Sequence, residues 1–179
     1  MHQQGFSLIE LLMGLVIAAI VLSWGGSSFR ALVESTERVD AARLLASGLR
    51  IARSEAITRN RTVAIRGIDN DWGQGWQINL DGDDQALLTQ RSSGARVIGN
   101  GAMKGSVRFA GHGQALWPSG AFHSGTLHVC GKHDPVSHHQ VVLAPSGRVS
   151  LRSEVAEQAL CEKGLKARSG RAVPWASRR

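Results

Sequence analysis

The chain opens on a long apolar run. Residues 6–26, FSLIELLMGLVIAAIVLSWGG, carry one charge, Glu10. At about 1.5 Å of rise per residue, a helix of this length crosses a bilayer core of about 30 Å. The apolar positions then thin to a stripe. Over 29–58, Phe29, Leu32, Val33, Val39, Ala42, Leu45, Leu49, Ala52 and Ala56 recur at helical spacing. Arg38, Asp40, Arg43, Arg50, Arg53 and Glu55 lie mostly off that stripe. The pattern predicts one helix from Phe6 to about Thr58, roughly 80 Å long. Its weak point is Gly25-Gly26, because Gly costs about 1 kcal/mol in a helix interior. From Thr62 the period shortens. TVAI, GWQINL, ALLTQ, ARVIG, SVRFA, TLHVC, QVVLA and GRVSLR are eight short β-type runs divided by Gly, Asp, Asn and Pro turns. The fold class expected is α+β: a long N-terminal helix, half membrane-like and half amphipathic, packed on two small antiparallel sheets. Residues 162–179 show no period and read as a tail.

Composition narrows the class. A length of 179 residues, 42% hydrophobic, suits one domain with a core plus outlying segments, and excludes wholesale disorder. The charge is uneven. The tail holds six of the 21 basic residues and one of the 14 acidic ones, so it carries +5 of the net +7. A basic tail points to polyanions such as nucleic acid or anionic lipid. Two Cys cannot build a disulfide-dense scaffold or a four-cysteine zinc site. There is no G-x-S-x-G, H-E-x-x-H, P-loop or C-x-x-C, so no catalytic residues are expected.

The N-terminus separates an anchor from a secretory signal peptide. Only MHQQG precedes the apolar run, and no A-x-A site follows it. A carboxylate at mid-membrane costs about 2.5–3.5 kcal/mol, and less near the start of the run. Glu10 therefore calls for a partner. MHQQGFSLIELLMGLVIAAI resembles the type IV prepilin signature, shared by type IV pilins and type II secretion pseudopilins. The resemblance implies cleavage between Gly5 and Phe6 by a prepilin peptidase and N-methylation of Phe6. It also implies a filament-assembly role for Glu10, the fifth residue of the mature chain, which would meet the N-terminal amine of a neighbouring subunit. The leader departs from the family pattern in having no Lys or Arg. ARLLASGLRIARSEAITRNRTVAI, WGQGWQINLDGDDQ and LHVC…QVVLAPSGRVSLR resemble the FimT/GspH group of minor pilins and pseudopilins, over nearly all of residues 6–152. That resemblance implies a type IV pilin-like head, a long helix against two antiparallel sheets.

A head outside the cytoplasm makes a disulfide between Cys130 and Cys161 expected, with two unrelated free thiols as the alternative. Such a bond closes a loop of about 30 residues, stabilises by roughly 3–4 kcal/mol and tethers the start of the tail. Six of the seven His lie at 112–139: His112, His123, His128, His133, His138 and His139. Their spacing gives no zinc site, so a pH-sensitive surface is expected and no metal. Asp81-Gly82-Asp83-Asp84 departs from the EF-hand order and reads as a turn. Trp72 and Trp76 read as core or turn packing. In strand geometry Arg148, Ser150 and Arg152 share one face, with Val149 and Leu151 on the other. The FimT branch carries a Gly-Arg-x-Arg motif associated with DNA binding, which Gly147-Arg148-Val149-Ser150 matches up to Ser150. Arg148, Arg152, Lys163, Lys166, Arg168, Arg171, Arg178 and Arg179 are the DNA-binding candidates, with Trp175 among the tail residues as a base-stacking surface.

The expected organisation is a leader at 1–5, a transmembrane helix at 6–28, its amphipathic continuation at 29–58, a β-rich periplasmic head at 59–161 and a basic tail at 162–179. The expected function is that of a minor type IV pilin of FimT type, taking part in pilus assembly and binding DNA for uptake. The alternative is a GspH-like minor pseudopilin of a type II secretion system. Expected partners are other major and minor pilins or pseudopilins, the prepilin peptidase, the inner membrane and DNA. No cofactor is expected. The expected location is the inner membrane, crossed once, with the head in the periplasm and incorporation into a pilus.

Overall fold

The computed structural model describes residues 8–92, 95–132, 134–156, 158 and 160–161, with side chains at 21–28 and 102 left out. Two compact units emerge, Met1–Thr36 and Glu37–Arg179. Helix α1, Leu8–Arg59, supplies the described part of the first and enters the second. It runs unbroken through Gly25-Gly26, because each interior backbone N–H still finds its helical carbonyl there. In the first unit Leu8, Ile9, Leu11, Leu12 and Ile17 are all more than half exposed. Among the described residues no helix is long and apolar enough to cross a membrane.

The second unit is built on the small-residue face of α1. Ala41, Ala42, Leu45, Ala46, Leu49, Ala52 and Ala56 are all buried. Alanines on this face let the sheets approach the helix backbone closely. Gly48 carries that to its limit: a Cβ there would lie 2.5 Å from the indole of Trp76. The Trp76 Nε1–H donates to the Leu44 carbonyl at 3.2 Å, and that of Trp72 donates to the Met103 carbonyl at 2.8 Å. Both rings are therefore core with satisfied polar tips. The helix ends in a Schellman motif. Asn60 takes φ 47°, its N–H donates to Ile57, and the Arg61 N–H donates to Ala56.

Nine strands follow among the described residues: β1 Val63–Ile68, β2 Asp71–Leu80, β3 Ala86–Arg91, β4 Arg96–Gly99, β5 Ser106–Phe109, β6 Ala115–Leu116, β7 Gly125–Cys130, β8 Ser137–Leu143 and β9 Val149–Arg152. They form two antiparallel sheets, ordered β3-β2-β1-β5-β6 and β4-β7-β8-β9. Val63, Ile65, Ile78, Val107 and Phe109 of the first sheet meet Leu127, Val129, Val141 and Leu143 of the second and the helix face in one core. The eight expected runs all appear. The ninth strand, β6, has only two residues and is too short to show a period. Its pairing with β5 depends on a tight turn at Ala110–Gly113.

Candidate functional site

Arg50 and Arg53 are three residues apart on α1 and so share a side of it. That side meets the hairpin between β8 and β9. The hairpin turns through Ala144-Pro145-Ser146-Gly147, closed by Gly147 N–H to Ala144 O and Ala144 N–H to Arg148 O, both at 2.9 Å. Pro fixes the second position, and Gly147 supplies φ 78°. Space dictates glycine as well. A Cβ on Gly147 would sit 2.0 Å from the Gly113 carbonyl oxygen and 2.9 Å from Arg53 Nε.

That close approach makes a cleft of about 370 Å³ lined by Arg50, Arg53, Ser54, Ile57, Gly147, Arg148 and Val149. Backbone carbonyls anchor two of its cations. Arg53 Nε donates to Gly113 O at 2.9 Å, and Arg50 Nη2 donates to Val149 O at 3.3 Å. Arg148 and Ser54 are exposed. Three arginines line the cleft and no acidic residue does. An arginine has five N–H donors, so most stay available to an anion. Arg50 and Arg53 were not among the sequence candidates. Their three-residue spacing was visible, but nothing local indicated that the distant Gly147-Arg148 turn lands beside them.

Arg148 itself lies in the turn before β9, so the shared strand face expected for Arg148 and Arg152 is not formed as such. Strand β9 starts at Val149 because Arg148 is used in closing the hairpin. Val149 is buried and Arg152 exposed at the far end, where it pairs in register with Gln140 and does not line the cleft. Glu10 is exposed in the first turn of α1. Gly5, Phe6, Lys163, Lys166, Arg168, Arg171, Trp175, Arg178 and Arg179 lie outside the described residues. Cys130 and Cys161 are joined by a disulfide with Cα atoms 6.1 Å apart. Arg96 also reaches this point, donating to the Cys161 carbonyl.

A second cleft, of about 320 Å³, adjoins the β2–β3 turn. Asp81-Gly82-Asp83-Asp84 forms that turn, with Asp83 N–H donating to Leu80 O at 3.0 Å. Arg108 pairs with Asp81. Among the described residues no group of three His, Cys, Asp or Glu could hold a metal. Two of the histidines make side-chain contacts within the head. His138 pairs with Asp134 at 2.7 Å, and His128 meets the Ser137 hydroxyl at 3.3 Å. Burial lowers the His128 imidazole below its ordinary range. Burial also lowers His139, helped by the charges of His138, Arg38 and Arg43. Burial pushes the Asp134 carboxyl upward, but the Val136 N–H, His138 and Arg38 together hold it below the usual carboxylate value.

Residues 41–147 match the family described as type II transport protein GspH, and residues 1–25 match the prokaryotic N-terminal methylation motif. The chain belongs to the GspH family. Its members are structural subunits of pili and pseudopili, not enzymes. This GspH-family chain also shares its fold with the type IV minor pilin FimU of Pseudomonas aeruginosa in two crystal forms, at 22% identity. The TM-scores are 0.56 and 0.58, covering 67% and 72% of this chain and 98% of FimU in each case. No curated protein matches. Family, motif and fold together make the chain a minor type IV pilin or pseudopilin.

Proposed function

We propose that this chain is a minor type IV pilin. It is cut between Gly5 and Phe6 by a prepilin peptidase, methylated at Phe6, and anchored in the inner membrane by its N-terminal segment. Its head, from about residue 59 to Cys161, faces the periplasm and enters a pilus with other major and minor pilins. The observation that carries this reading is the joining, in one chain, of an N-terminal methylation motif at 1–25 to a GspH head at 41–147. Glu10 gives it a physical basis. A carboxylate at the edge of an apolar run is costly alone, and pairing with a neighbour's N-terminal amine offsets that cost. The test is deletion of the gene, restored by the wild-type chain or by Glu10→Val. Loss of surface pili, restored only by the wild-type chain, is expected.

The second reading is a minor pseudopilin of a type II secretion system, favoured by the description of the family. Under it, deletion stops protein secretion and leaves pili intact, and that outcome replaces the first reading. Within the pilus reading we further propose that the head binds DNA through phosphate contacts. The basic residues after Cys161 and the arginine-lined cleft support this. Binding of this kind weakens steeply with salt and ignores sequence.

A further inference from the structure

We infer that Arg50 and Arg53 of α1 join Arg148 of the β8–β9 turn in one phosphate-binding cleft, which holds the DNA backbone independently of the basic tail. The inference rests on the DNA-binding reading above and adds two helix residues that no motif marks. Four observations carry it.

The first is charge. Three arginines line the cleft and no acidic residue does. Like charges gathered without a counter-charge repel, so an anion that enters relieves that repulsion. The second is preorganisation. The Gly113 and Val149 carbonyls hold Arg53 and Arg50, so little side-chain freedom remains to be lost on binding. The third is availability. Among the described residues the Arg148 side chain makes no hydrogen bond or ion pair, and Ser54, which also lines the cleft, is exposed. The fourth is construction. Gly147 is needed both for its φ of 78° and for the contact with Gly113, so the turn that presents Arg148 is built onto the carbonyl that anchors Arg53. Guanidiniums match phosphate oxygens in a bidentate fork. A nucleic-acid backbone supplies phosphates at regular spacing and can engage both the cleft and the tail, which carries a net +5.

The test uses the full chain in detergent micelles and a fluorescent duplex of about thirty base pairs, titrated from about 50 to 200 mM salt. Arg50→Gln with Arg148→Gln should weaken binding about tenfold or more and flatten the salt slope by about 1 per arginine removed. The paired lysine variants should keep most of the affinity. Ser54→Glu is an exposed change on a helix that leaves the core alone, so it tests the cleft even if the arginine variants fold poorly. It should weaken binding by about the same factor, because a carboxylate at the cleft competes with phosphate. A chain ending at Cys161 should retain cleft-dependent binding. Unchanged affinity in the glutamine and glutamate variants, with binding lost on removing 162–179, overturns the cleft but keeps the DNA reading. No binding by the wild-type chain overturns both. Equal binding of poly-glutamate, lost in the same variants, overturns the nucleic-acid assignment in favour of an acidic protein.

Discussion

At Gly48 a single methyl group decides how the head packs. Gly→Ala in a helix interior ordinarily gains about 1 kcal/mol. Here the new Cβ would lie 2.5 Å from the ring of Trp76, which is buried and cannot swing away. Overpacking of that kind costs about 1–3 kcal/mol, so the clash wins. Gly48→Ala should therefore lower the denaturation midpoint of the full chain in micelles, and a raised midpoint would contradict the packing described. Protonation acts at the same scale. His128 and His139 are held below the ordinary imidazole value, first by burial and then, for His139, by His138, Arg38 and Arg43. The folded chain then binds fewer protons than the unfolded one below pH 6.5, the unshifted value. Stability is complete above that pH and falls as pH drops through the depressed values. The urea midpoint should fall between about pH 7.5 and about pH 5.5, and His139→Gln should shrink the fall. A midpoint independent of pH, or a fall untouched by the variant, would argue against this account.

At the scale of elements, the turns place the chemistry. The β8–β9 turn and the turn at Trp117–Gly120 share the sequence Pro-Ser-Gly and the same pair of closing hydrogen bonds. Gly147→Ala forces φ 78° on a residue with a Cβ and drives that Cβ into the Gly113 oxygen. The loss should exceed about 2 kcal/mol, since backbone strain and a steric clash add. Native-state hydrogen exchange should report it as faster exchange at Val149 and Gly113 ahead of the rest of the head, whereas uniform loss would separate the turn from the cleft. The strands were legible where they are long. The burial alternation of Val63–Ile68 and the β-type residues of Gly125–Cys130, with Leu127 and Val129 on either side of His128, mark them directly. Strand β6 was not legible, because two residues carry no alternation. The strand face assigned to Arg148 was misjudged for a related reason: a residue that closes a hairpin looks, in sequence, like the first residue of the strand.

At the scale of the molecule, the disulfide ties the segment beyond β9 back to the end of β7. Cys130 and Cys161 are 31 residues apart, and joining them constrains the unfolded chain by roughly 3–4 kcal/mol on the chain-entropy account. Cys161→Ser, or reduction, should lower stability by about that amount in denaturant titration. If the reduced and oxidised chains melted alike, the bond would have no structural weight. The same bond holds Cys161, which directly precedes the basic residues 162–179 in the chain, so reduction should also weaken any binding that depends on those residues more than cleft-dependent binding.

Sequence alone determined the elements whose signal is local. The apolar run with its one carboxylate, the helical stripe, the long strands and the two tryptophans as core each rest on spacing within a few residues. The uneven charge is likewise a property of composition. Tertiary structure alone decided the site. Arg50 and Arg53 meet Gly113, Gly147 and Arg148 only because two sheets wrap one helix face and two turns of different hairpins touch. The hydrogen bonds from Arg53 to Gly113 and from Arg50 to Val149 join residues 60 and 99 positions apart, and periodicity carries no information at such separations. The close approach depends on small residues lining α1, whose effect appears only once the opposing turn is in place.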